Sequence, residues 1–307
     1  MKSSGLWIAA AMTVFAMGCN RNSIEAVNLS NEGDKAKTSN PDEAISKYEQ
    51  AANLDPDNHR ILWRLIQMYV KKESWPKVVE TCSKAEKKAP TYATYNYYHG
   101  MALARQAGAA KGAGGVSWSE AKGPLEEAIK KDPNLADAYF ELAEVQLHLD
   151  DENGALANYT KAVSTKPDET QYYGPLAELY IRLNLLDNGE QVLKEGLSFA
   201  KDGDKHLFSL HSLLGDLQEK KGNLSGAVSS YEAARKSCGN CTEPGQAIAF
   251  FNLGAAYART NPPRKSEAVQ QLSSFQKVVC RGAAAARYAD QCSQAQQIAT
   301  SVGGQLQ

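Results

Sequence analysis

No apolar run in this sequence reaches the roughly 20 residues that a helix needs to cross a bilayer. The longest, Leu6–Met17, is already interrupted at Thr13. Charge of either sign is not in surplus: 34 Lys and Arg stand against 35 Asp and Glu, a formal net charge of -1. Holding nucleic acid by phosphate neutralisation needs a clustered basic excess, so a nucleic-acid partner is not expected. Alternation of period two persists nowhere, and β-branched residues are scattered, which speaks against sheet. Catalytic signatures are missing as well: there is no HExxH pair, no GxSxG elbow and no GxxxxGK[ST] loop. The string Ser198-Phe-Ala-Lys201 matches SxxK but stands without its companion motifs. No enzyme activity, resident metal, cofactor or small-molecule substrate is therefore expected. What remains is ordinary folded-protein composition, 43% hydrophobic and 22% charged, which rules out wholesale disorder.

The N-terminus reads as an address. Lys2 supplies a positive start, the apolar stretch Leu6–Met17 has the length of a signal-peptide core, and Ala16-Met17-Gly18-Cys19 ends it before polar sequence. Small residues ahead of a single cysteine resemble the bacterial lipobox, although Ala16 stands where that motif usually carries Leu. The resemblance implies a signal peptide over residues 1–18, lipid on Cys19 and a tether over residues 19–26. Asn20 is not the Asp that retains many such proteins at the inner membrane. By resemblance to sorting in diderm bacteria, the expected location is the outer membrane, lipid-anchored and facing the periplasm.

The rest of the chain repeats. Pro56, Pro90, Pro133 and Pro167 are spaced by 34, 43 and 34 residues, the 43 being one period plus a nine-residue insertion. In the same frame lie the small-large-small triplets Ala44/Tyr48/Ala51, Val78/Cys82/Ala85, Ala121/Leu125/Ala128, Ala155/Tyr159/Ala162 and Ala227/Tyr231/Ala234. Spacings of four and three put each triplet on one helical face. Upstream of them come Gly100, Ala143, Ala177, Gly215 and Gly254, small residues suited to a close approach of a preceding helix.

On these residues the chain resembles the tetratricopeptide repeat (TPR) family, whose unit is two antiparallel helices in 34 residues. The resemblance implies an all-α fold, a right-handed α-solenoid of about seven helical hairpins with a C-terminal capping helix. The expected units are 25–58, 59–92, 93–135, 136–169, 170–207, 208–246 and 247–280, the first degenerate in its first helix. Divided into domains, residues 27–280 form the solenoid and 281–307 the capping helix and tail. Each repeat touches chiefly its neighbours, so the solenoid counts as one quasi-linear domain.

In that family the first helix of each unit lines a concave groove. The groove positions here are Arg60, Trp63, Arg64, Gln67 and Lys71, then Tyr97, Tyr98, Met101 and Arg105, then Phe140, Glu141, Glu144 and Glu178. Aromatic residues and arginine often anchor interfaces, and Trp63, Tyr97 and Phe140 share one register. Equally, large aromatics fill the inner curve of such a coil. Basic groups gather in the second and third units and acidic ones in the fourth to sixth. The Lys and Asn set that grips a chaperone tail in one subclass is not matched: Trp63, Gln67, Tyr98 and Glu141 occupy those places. The partner implied is a protein of the cell envelope, bound by an adaptor of the kind that secretin pilotins represent.

Of six cysteines, Cys82 falls on a core position and reads as a buried thiol. Cys238, Cys241, Cys280 and Cys292 gather at the C-terminal end. In an oxidising compartment they read as disulfides with three possible connectivities, among which Cys238–Cys241 and Cys280–Cys292 are favoured. A four-sulfur zinc site and thiol redox chemistry at Cys238-Gly-Asn-Cys241 are the competing readings. They define an alternative function, a redox- or metal-responsive periplasmic protein. The glycine-rich insertion Gly108–Trp118 reads as a flexible loop, with Trp118 available to a partner. Replacing Cys19 with Ser is expected to move the protein from the membrane fraction to the soluble one. Co-sedimentation that survives a salt wash counts against lipidation.

Overall fold

Helix-start chemistry recurs along the chain. In the computed structural model, which describes residues 21–109 and 115–306, Asn40 accepts a hydrogen bond from the backbone N–H of Glu43, with Pro41 following it. Asp151 does the same for Gly154 at 2.9 Å, and Asn223 for Gly226 at 3.0 Å. Each bond satisfies one of the orphan donors of a helix N-terminus. Among the described residues the regular structure is entirely helical.

Two units divide the chain, residues 1–117 and 118–307. The first holds α1 (Arg21–Ala36), α2 (Pro41–Leu54), α3 (His59–Lys71), α4 (Trp75–Lys88) and α5 (Ala93–Ala109). The second holds α6 (Trp118–Lys131), α7 (Ala136–His148), α8 (Glu152–Thr165), α9 (Tyr173–Arg182), α10 (Leu186–Phe199), α11 (Leu207–Lys220), α12 (Leu224–Ser237), α13 (Pro244–Arg259), α14 (Lys265–Val279) and α15 (Ala289–Ser301). Within each unit successive helices pair as hairpins, an α-solenoid arrangement; α15 packs on α13 and α14.

The expected tether and the structure differ at Arg21: helix begins there, so residues 21–26 are helical. The first helix of the first unit, degenerate in sequence, is nonetheless formed: α1 runs for 16 residues and buries Ala26, Ser30 and Gly33. Residues 1–18, Cys19 and Asn20 lie outside the described residues. No helix among the described residues is long and apolar enough to cross a membrane.

Four of the turns inside the hairpins share one closure. Ser74 N–H reaches the Tyr69 carbonyl at 2.9 Å, Asp151 that of Gln146 at 2.9 Å, Leu185 that of Tyr180 at 2.8 Å and Asn223 that of Gln218 at 2.8 Å. In each, the residue before the donor is left-handed: Glu73 (φ 53°), Asp150 (φ 58°), Asn184 (φ 58°) and Gly222 (φ 76°). This is the Schellman end of a helix, which satisfies carbonyls that would otherwise be orphaned.

In two of the hairpins a small residue lies directly under a ring. A Cβ added to Gly33 would stand 2.6 Å from the Tyr48 ring, and one added to Gly215 would stand 2.4 Å from the Tyr231 ring. Ala143 and Tyr159 are likewise fully buried in one core of the second unit. Leu62, Leu65, Ile66, Val78, Cys82 and Ala85 join α3 to α4 in the core of the first unit. Gly215→Ala should destabilise the protein by about 1–3 kcal/mol through overpacking, despite the better helix propensity of Ala. Gly245→Ala, whose added Cβ meets nothing within 4 Å, should be neutral or stabilise by about 0.5 kcal/mol. Thermal unfolding of both variants checks the contrast.

Candidate functional site

The first helices of the hairpins carry two kinds of face. In the first unit α3 exposes Arg60, Gln67 and Lys71, with Trp63 half-buried between them. A cavity of about 280 Å³ lies on one side of Trp63, lined by His59, Arg60, Tyr92, Thr94 and Tyr95. A second, of about 530 Å³, opens on the other, lined by Asp34, Lys37, Arg60, Arg64 and Gln67. Arg64 is committed within the protein: its Nε donates to both oxygens of Asp34, at 3.2 and 3.1 Å. The Tyr48 hydroxyl donates to the same carboxylate at 2.8 Å. Burial opposes ionisation of Asp34, but the bonds from Tyr48 and Arg64 prevail and hold its carboxyl below the ordinary value.

The aromatic ladder takes another form than the register implied. Trp63 meets Tyr98 edge to face at 5.2 Å and Tyr95 at 6.1 Å, while Tyr97 meets Tyr98 edge to face at 4.9 Å. Trp63 and Tyr98 both rest on the core of the first unit. Phe140, in the second unit, packs on Tyr159 at 5.6 Å and Tyr172 at 5.2 Å. Met101 and Glu141, expected on the open groove, are buried at 7% and 6% exposure. Arg105 is exposed. Trp118, offered above as a partner contact, stacks flat on His148 with ring centres 3.7 Å apart.

In the second unit a line of carboxylates follows the small residues of the first helices: Ala143-Glu144, Ala177-Glu178 and Gly215-Asp216. Gly33-Asp34 is the same dipeptide in the first unit. Tyr159 donates to Glu144, and Tyr231 donates to Asp216 at 2.6 Å. The hairpin of α9 and α10 breaks the pattern. It carries the fully buried Leu193 where its neighbours carry the tyrosine, so no ring hydroxyl reaches Glu178. Glu144, Glu178 and Arg182 border a cavity of about 360 Å³ floored by Leu147, Tyr159, Pro175 and Leu179. Partial burial, then the nearby Glu144 and Asp216, push the Glu178 carboxyl above the ordinary glutamate value, with Arg182 opposing. Asp216 is raised too, chiefly by burial, against the bond from Tyr231.

The C-terminal cysteines pair as Cys238–Cys241, Cα atoms 5.1 Å apart, and Cys280–Cys292, 5.8 Å apart. Two bridges leave none of these four thiols for zinc, and no group of His, Cys, Asp and Glu among the described residues has the layout of a metal site. Cys238 follows the end of α12 rather than opening a helix, which removes the N-terminal field that lowers a reactive thiol's pKa. Cys82 is buried and unbridged, and burial pushes its thiol up.

Family comparison agrees with the hairpin geometry. The sequence model described as Tetratricopeptide repeat matches residues 34–93 and 125–157. Over those residues the chain carries tetratricopeptide repeats. Its fold is similar to that of PilF of Pseudomonas aeruginosa: 14% identity, 71% of this chain and 93% of that one covered, TM-score 0.56. PilW, described as a widely conserved type IV pilus biogenesis factor, is 16% identical, with 67% and 90% covered and TM-score 0.53. YrrB, described as a TPR protein with an unusual peptide-binding site, is 18% identical, with 69% and 99% covered and TM-score 0.50. No curated protein sequence matches the chain. Tetratricopeptide repeats are generally non-catalytic scaffolds for protein–protein interaction.

The raised Glu178 value has a consequence for stability. The folded state holds that proton more tightly than the unfolded chain, so ionisation costs stability. The cost is absent well below 4.5, where both states are protonated, and complete above the folded value. Glu178→Gln should therefore stabilise the protein at neutral pH by a few tenths of a kcal/mol, the scale of a screened like-charge pair. Melting curves of variant and parent should converge in acid. A gain that persists at low pH contradicts the assignment.

Proposed function

We propose that this protein is a lipid-anchored scaffold of the cell envelope that takes a protein partner on its first-helix faces. The observation that carries the reading is the exposed set Arg60, Gln67 and Lys71 around Trp63, with a cavity on either side of the ring. These side chains stand outside the core, while the indole adds a large apolar surface of the type that anchors interfaces. In the second unit the carboxylates of Glu144, Glu178 and Asp216 favour a segment bearing Lys or Arg, since charge complementarity sets orientation and excludes wrong partners.

Cys19, following Ala16-Met17-Gly18, supports the anchor, and Asn20 supports an outer-membrane location facing the periplasm. The two cysteine pairs at bridging distance accord with an oxidising compartment. The likeness to PilF and PilW is one of fold alone. Joined to the lipobox, it supports a pilotin-like role in assembling an envelope machine. A scaffold held at a membrane acts by raising the effective concentration of whatever it binds there.

A photo-crosslinking residue placed at Gln67 should capture one envelope protein in intact cells, and Arg60→Glu in the same chain should abolish that adduct. The same probe at Glu80 on α4 should yield none. Equal yields at Gln67 and Glu80, or an adduct indifferent to Arg60→Glu, overturn the assignment of this face.

A further inference from the structure

One edge of the first unit gathers the start of α1, the α2–α3 turn, the end of α4 and the α4–α5 turn. Ala26 of α1, Ala51 of α2 and Ile61 of α3 form a small core there. Lys88 at the end of α4 pairs with Asp57 in the α2–α3 turn. The ring of His59, which opens α3, lies 4.9 Å from that of Tyr92 in the α4–α5 turn. From this edge the sequence runs back through Asn20 to Cys19.

Six large hydrophobic side chains are exposed among the described residues. Three of them sit here: Ile24 at 52%, Tyr92 at 50% and Val27 at 46%. Ile24 and Val27 are three positions apart on the first two turns of α1 and so share a face. Leu149, Leu185 and Phe199 occur singly in the second unit, which is normal for a soluble surface. Beside the apolar group lies a basic one. Lys77, Lys84, Lys87 and Lys88, against Glu49 and Glu80, line a cavity of about 490 Å³ whose walls include Asn53 and Pro56.

Aliphatic side chains, an exposed tyrosine and clustered lysines are the types that settle at the surface of an anionic bilayer. The position favours a membrane over an acidic protein as the occupant. Two residues of fully extended chain from Cys19 to Arg21 span at most about 7 Å. An acyl group on Cys19 therefore keeps the start of α1 within about one Debye length of the headgroups at physiological salt. We propose that this edge lies against the anionic membrane surface, with Ile24, Val27 and Tyr92 at the interface and Lys84, Lys87 and Lys88 on headgroup phosphates. The contact orients the first unit on the bilayer instead of leaving it to swing on its anchor. It rests on the anchoring reading above, but it is measurable without the lipid.

The chain from residue 19 onward with Cys19→Ser, without the apolar leader and unlipidated, is mixed at low salt with vesicles of phosphatidylethanolamine and phosphatidylglycerol. It should co-sediment with them, and far less with phosphatidylcholine vesicles. Each lysine near such a surface contributes enough that Lys84→Gln, Lys87→Gln and Lys88→Gln together should weaken partitioning at least about tenfold. Ile24→Ser with Val27→Ser should weaken it independently, with helicity and melting of every variant checked. No sedimentation with either vesicle, equal sedimentation with both, or binding indifferent to the lysine substitutions overturns the proposal. So does binding of a glutamate-rich peptide with no vesicle binding, which assigns the edge to an acidic protein. Mass spectrometry of Cys19 in the native chain reports separately on the anchor: an unmodified thiol there removes the anchoring reading without touching the vesicle result.

Discussion

In the α1–α2 and α11–α12 hairpins a ring of the second helix lies directly on the backbone of the first, and their packing depends on it. Gly33 beneath Tyr48 and Gly215 beneath Tyr231 leave no room for a Cβ. A helix pair held that closely shares a dry core of small and large side chains, and interiors packed at that density transmit any change of volume. The small-large spacing within the period of 34 is thus a steric requirement in these hairpins. The nine-residue insertion of the sequence falls between α5 and α6.

The same ring writes the electrostatics of the face. Tyr48, Tyr159 and Tyr231 are buried as hydrophobes, yet each must place its hydroxyl, and each donates to the carboxylate one residue beyond the small one. Asp34, Glu144 and Asp216 are therefore partly spent inside the protein. Leu193 breaks the series, and Glu178 is left with acidic neighbours instead of a donor. One substitution at a core position has changed the chemistry of a surface one. The faces of the two units differ accordingly: around Trp63 the exposed groups are cationic, whereas along α7, α9 and α11 a row of carboxylates dominates.

Much of the fold was legible. The spaced prolines and the small-large-small triplets indicated successive helical hairpins and a final helix, as the structure has them within each unit, and the favoured cysteine pairs are those found. The site was less legible. Of the expected groove residues, Arg60, Gln67, Lys71, Arg105 and Glu178 are exposed, but Met101 and Glu141 are buried and Arg64 is tied to Asp34. Tyr98 rather than Tyr97 meets Trp63, because one residue turns a helix by about 100° and α3 lies on the Tyr98 side. The left-handed turns at Glu73, Asp150 and Asn184 gave no glycine signal; the hairpin closure imposes them. The helix at residues 21–26 was masked by a polar composition that resembles a tether, and packing on α2 orders it.

The division follows the range of the forces involved. Helix positions, buried faces and hairpin boundaries come from contacts three or four residues apart along the chain, so the order of amino acids alone settles them. Which side chains of a face stay free, which carboxylates find a donor and which chain ends share an edge depend on approaches between residues such as Asp34 and Arg64 or Asp57 and Lys88, about thirty positions apart. Those distances exist only once the hairpins have stacked.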